Sequence, residues 1–115
     1  MIDARRMEVY TAFYDSNANP ITDVNAVIID QNSFSEHLAS KTILFFGDGS
    51  PKCKNVISNQ NAIFIDDFSP SARFMLPLAL KAFNNEQFED TAYFEPFYLK
   101  DFIATKAKNK IIPNR

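Results

Sequence analysis

Both glycines of this 115-residue chain fall in one stretch, Phe46-Gly47-Asp48-Gly49-Ser50-Pro51, directly after the apolar run Thr42-Ile43-Leu44-Phe45. Glycine reaches positive φ without steric cost. The rest of the backbone is therefore expected to manage with ordinary conformations. A strand followed by Gly-Asp-Gly and then Ser-Pro opening a helix admits two readings. One is a cradle of backbone N–H groups facing a phosphate. The other is a tight strand-to-helix turn with Ser50 as N-cap and Pro51 at the first helical position. A lone Gly-x-Gly does not choose between them.

The length predicts one domain with room for a core that needs no staples. A formal net charge of −2 exerts no global pull toward nucleic acid or a membrane surface. Cys53 stands alone, which excludes an internal disulfide and makes a reducing, cytoplasmic setting the expectation. Asp3, Arg5, Arg6 and Glu8 break up the amino-terminal stretch, so no signal peptide is read there. No apolar run approaches the length of a membrane span.

Alternation from Arg6 to Tyr14 predicts a strand, with Met7, Val9, Thr11 and Phe13 on one face. Asp15 to Pro20 reads as a turn cluster and Val24 to Ile29 as a second strand. Ser33, with Glu36 three residues on, has capping-box spacing for a helix to Ser40. Thr42 to Phe46 reads as a strand covered on both faces. A helix over Pro51–Ser58 and a strand over Ala62–Ile65 follow. The longest helix is predicted from Ser69-Pro70 to Asn84, kinked at Pro77. Met1 to Ala4 reads as the end of a further strand, with a hairpin turn at Ala4-Arg5-Arg6. The order βββαβαβα predicts a mixed sheet with helices on its faces. A chain opening inside an element is expected to be part of something longer.

Four segments in order resemble one family. Asp3–Asp15, DARRMEVYTAFYD, is similar to the start of the C-terminal lobe of TsaB (YeaZ) proteins. Ile43–Gly49, ILFFGDG, resembles the strand and turn that follow there. SPSARFMLPLALKAF and then YFEPFYLKDFIAT, Tyr93–Thr105, resemble the closing helix and tail. The resemblance implies half of an actin-like, ribonuclease H-like α/β fold. It implies a non-catalytic accessory subunit of the machinery that makes threonylcarbamoyladenosine beside the tRNA anticodon. Its partners would be the TsaD-like subunit, which carries metal and transfer chemistry, and a TsaE-like protein; tRNA is met indirectly. A homodimer is a further possibility, and no cofactor is implied. Family members have about twice this length, and the chain matches only their second lobe. Residues 1–92 would form that lobe and 93–115 a tail, aromatic and then basic.

The remaining chemistry is sparse. His37 is the only histidine, which leaves no zinc or paired-histidine site and reads as an ordinary surface residue. Asp66-Asp67, with Asp3, are the candidates for Mg²⁺. The bland alternative for them is acids flanking a strand end and a helix start. Arg5 and Arg6 are expected at a hairpin tip, one of them paired with Asp3 or Glu8. Gly47, Asp48 and Gly49 match the nucleotide-touching turn of actin-like ATPases, and half a cleft should hold ATP poorly. Lys106, Lys108, Lys110 and Arg115 are the candidates for contact with RNA or an acidic partner. The competing functions are a metal-dependent nuclease or ATPase of the same superfamily, for which Lys52 is the sole lysine near the turn to grip a phosphate, and a glycoprotease-type peptidase homologue, for which no nucleophile–histidine pair is seen. Tyr93 to Phe102 is too apolar for water and is expected to pack on this lobe or on a missing one.

Overall fold

The computed structural model describes residues 1–100, and within them the chain is a small mixed α/β protein. Strand β1 (Ile2–Asp3) pairs antiparallel with β2 (Glu8–Thr11), which pairs antiparallel with β3 (Asn25–Ile28). Helix α1 (Ser35–Leu38) leads to β4 (Ile43–Phe45), and α2 (Ser50–Cys53) leads to β5 (Ala62–Phe64). Strands β4 and β5 are parallel. A 3-10 turn at Ala72–Met75 precedes α3 (Leu76–Asn84).

Two main-chain hydrogen bonds join the start of β1 to the end of β4 and the turn after it. The Met1 nitrogen donates to the Phe46 carbonyl at 2.6 Å, and the Gly49 N–H donates to the Met1 carbonyl at 3.3 Å. The start of β1 therefore lies beside the end of β4, so that the three-stranded sheet β1-β2-β3 stands next to the two-stranded sheet β4-β5. The predicted element order is the one observed, and the predicted turn after β1 is present.

The two sheets hold the core on one side. Val9 from β2, Ile29 after β3 and Phe45 from β4 meet Leu38 from α1 and Cys53 and Ile57 from and after α2; all six are buried. The other face is bare: Ile28, Leu44 and Ile63 are 74%, 54% and 47% exposed. The expectation that β4 is covered on both faces is thus corrected. The continuous apolar run is present, but α1 and α2 pack on one side only.

Helix ends also move from their predicted places. Ser33 does not cap α1. Its hydroxyl accepts the Asp30 N–H at 2.8 Å and donates to the Asp30 carboxylate at 3.0 Å, so it closes a turn, and the helix begins two residues later after Phe34 at φ +64°. Ser50 lies inside α2 and donates its hydroxyl back to the Gly47 carbonyl at 2.9 Å. Pro77 kinks nothing. It falls in the first turn of α3, where the missing N–H has no intrahelical partner to lose.

Ordinary backbone outside the glycines is a further expectation that fails. Arg5, Arg6, Ala18, Phe34, Asp67 and Glu86 all have positive φ. With glycine confined to one turn, other residues take these conformations and bear the strain.

No residue of α3 is buried. Leu76, Leu78, Leu80 and Phe83 are each more than half exposed, although Lys81 is the only charged residue in the helix. Tyr93, Phe94, Phe97 and Tyr98 are likewise open. The aromatic stretch therefore does not pack on the rest of the described chain as far as Tyr98, and Phe102 lies outside the described residues. No helix among the described residues is long and apolar enough to cross a membrane.

Candidate functional site

The glycine turn is built against β1. Gly47 has φ +103° and is buried, and a Cβ there would overlap the Met1 carbonyl. Gly49 has ordinary φ but no space: a Cβ would sit 2.8 Å from the Ile2 carbonyl carbon. The turn needs one glycine for conformation and the other for close approach. Its polar groups turn inward. Gly49 N–H is bonded to Met1, Ser50 N–H to the Gly47 carbonyl at 3.0 Å, and the Asp48 carboxylate accepts the Asp3 N–H at 3.1 Å. Gly47, Asp48 and Gly49 thus knit two strands together. An anion approaching this turn would meet the Asp48 carboxylate and find the amides of Gly49 and Ser50 engaged.

One residue whose part the sequence did not disclose organises this region. Lys52, in α2, sends its ammonium group to the Asp3 carboxylate at 2.5 Å, the Arg6 carbonyl at 2.8 Å and the Glu8 carbonyl at 2.6 Å. All three ammonium donors are satisfied. The lysine clamps α2 to the β1–β2 hairpin, 44 to 49 residues away in sequence. Its donors are occupied by the protein rather than turned toward a phosphate. The one available hint was its place in the first turn after the glycine loop, a position that the β1–β4 seam carries against the hairpin.

Lys52 holds the Asp3 carboxyl below its usual range, and the Arg5 N–H, which donates to the same oxygen at 2.9 Å, adds to the effect. A depressed carboxyl pKa contributes stability that is complete above the unfolded value of about 4 and lost as pH falls through the folded value. Urea midpoints should therefore fall below pH 4. Lys52→Ala should flatten part of that fall, and an identical acid profile in the variant would remove Asp3 from the account.

The remaining candidates lie apart. Asp66 binds Lys54 at 2.8 and 3.0 Å on the surface, and Asp3 belongs to Lys52. Among the described residues no three His, Cys, Asp or Glu side chains come close enough to hold a metal ion. His37 is exposed and stacks on Phe13, ring centroids 4.5 Å apart. Arg5 and Arg6 do sit at the hairpin tip, but the predicted pairing is overturned. Asp3 is taken by Lys52, and Glu8 by Lys100 at 2.5 Å. Lys106, Lys108, Lys110 and Arg115 lie outside the described residues.

Cys53 is fully buried and donates toward the Gly49 carbonyl at 3.2 Å. Burial pushes its thiol pKa up, against a smaller opposing pull from Lys52. A thiol with little thiolate and no access is inert. Iodoacetamide should leave Cys53 unmodified in the native protein and label it in urea; fast native labelling would show that α2 opens.

No family model, curated protein or solved structure matches the chain.

Proposed function

We propose that the chain is the C-terminal lobe of a TsaB-like accessory subunit, which supports threonylcarbamoyladenosine synthesis on tRNA in the cytoplasm by binding a TsaD-like subunit, with a TsaE-like protein joining them. In this reading the lobe is half of an actin-like, ribonuclease H-like fold and carries no catalytic group. The observation that carries the reading is the agreement between the resemblance and the layout. The Asp3–Asp15 segment contributes to the β1–β2 hairpin, and Ile43–Gly49 forms the strand and turn that lie against the start of β1.

The bare apolar surface favours a binding role over an enzymatic one. Large apolar side chains exposed together on one element mark interaction surfaces. Here α3 offers Leu76, Leu78, Leu80 and Phe83, and the uncovered sheet face offers Ile28, Leu44 and Ile63. A helix with so much apolar side chain and a single charge, Lys81, belongs in an interface or a core.

The test is made in the source cell. Depletion of the gene encoding this segment should lower threonylcarbamoyladenosine in bulk tRNA, quantified by mass spectrometry. An unchanged level with depletion confirmed would leave only the fold resemblance standing.

A further inference from the structure

The tip of the β1–β2 hairpin places two arginines where glycine or asparagine is normally found. Between the paired residues Ala4 and Glu8, Arg5 has φ +71° and Arg6 has φ +50°. Positive φ is uncommon for any residue with a bulky side chain. Two in succession make a strained turn, and such strain persists only where the surroundings enforce it. The surroundings do so here. The Asp3 carboxylate takes the Arg5 N–H, and Lys52 holds the Arg6 carbonyl, the Glu8 carbonyl and Asp3 together. The acids that would have neutralised the arginines are consumed by lysines, Asp3 by Lys52 and Glu8 by Lys100. Among the described residues neither guanidinium forms an ion pair, and both arginines are exposed.

A chain that needed only a turn here would use Asn-Gly chemistry and avoid the strain. What the arginines add is a pair of adjacent, unneutralised guanidinium groups on a buttressed loop. Guanidinium is planar, always charged and matched to phosphate oxygens. We infer that the Arg5–Arg6 hairpin tip is a phosphate-backbone contact for tRNA, with Lys52 and Asp3 as positioning residues that hold the turn. The choice of RNA over another polyanion rests on the function proposed above.

The experiment exploits the strain. The full 115-residue chain is titrated against unmodified bulk tRNA over a range of salt concentrations, beside Arg5→Asn/Arg6→Gly and Arg5→Lys/Arg6→Lys. The Asn/Gly variant should be at least as thermally stable as the parent, since it relieves two unfavourable conformations. Its tRNA affinity should nevertheless fall, and its log–log salt slope should shrink by about 1 to 2. The Lys variant, which keeps the charge, should retain most of the slope. Unchanged affinity and slope in the Asn/Gly variant would overturn the inference. So would binding of poly-glutamate by the parent without binding of tRNA, which would indicate an acidic protein surface instead. Depletion distinguishes the two failures. If threonylcarbamoyladenosine falls while the variants bind alike, only the hairpin contact is wrong. If it does not fall while the variants separate, the hairpin binds RNA and the assigned modification is wrong.

Discussion

Gly47→Ala should be strongly destabilising. Two effects add at this position. A non-glycine residue at φ +103° bears about 1–3 kcal/mol of backbone strain. Its methyl group would also overlap the Met1 carbonyl, which is fixed from both sides: the Met1 nitrogen is bonded to Phe46, and the carbonyl accepts from Gly49. The neighbour is backbone, so relief requires β1 to move from β4 and the seam between the sheets to open. A loss of at least about 3 kcal/mol is expected, against a total of roughly 5–15 kcal/mol for a domain. The midpoint of thermal unfolding should fall by more than about 10 °C. Gly49→Ala should cost less, because φ there is ordinary and only the approach to Ile2 is tight. Equal unfolding midpoints for Gly47→Ala and the parent would mean that β1 does not dock on this turn.

Lys52→Ala should be the second most damaging change. Its ammonium serves two backbone carbonyls and one carboxylate, and the lysine side chain is only 22% exposed. The Asp3 pair is half open to water and contributes little by itself. The carbonyls decide the magnitude. The Glu8 carbonyl is partly buried and keeps only the Ala4 N–H at 3.1 Å, whereas the exposed Arg6 carbonyl can turn to water. A cost of about 2 kcal/mol follows. Lys52→Arg should not restore it, because a flat fork cannot turn three donors toward acceptors converging on one point. Urea denaturation gives the magnitude. Hydrogen exchange gives the location: protection of the hairpin amides, Ala4 and Glu8, should drop more than that of Leu38 in α1. A uniform loss would place the clamp's effect elsewhere.

The element order was legible because it depends on local periodicity. Val9 and Thr11 alternate with Tyr10, and the apolar runs at Ile43 and Ala62 are short and bounded by turn residues. What was not legible depends on competition between distant partners. The sequence offers Asp3 and Glu8 as neighbours for Arg5 and Arg6, but two lysines from far along the chain claim them. Ser33 and Ser50 have capping chemistry, yet each finds a nearer acceptor or donor in a turn. Pro77 signals a break within a helix, and it falls in the first turn of α3 instead. The glycine turn was located correctly, but its closeness to Met1 and Ile2 arises only when β1 lies beside β4, a pairing with no local signature.

That pairing sets the order in which the molecule assembles. The hairpin between β1 and β2 joins residues fewer than ten apart, whereas the seam to β4 joins Met1 to Phe46, 45 positions along. Loop closure over the longer span is entropically costlier and slower, so the hairpin is expected to form first and the seam later. During synthesis the first strand has a half-made partner set until Lys52 has emerged. Until the seam closes, the hairpin lacks both its Lys52 clamp and its contact with the glycine turn.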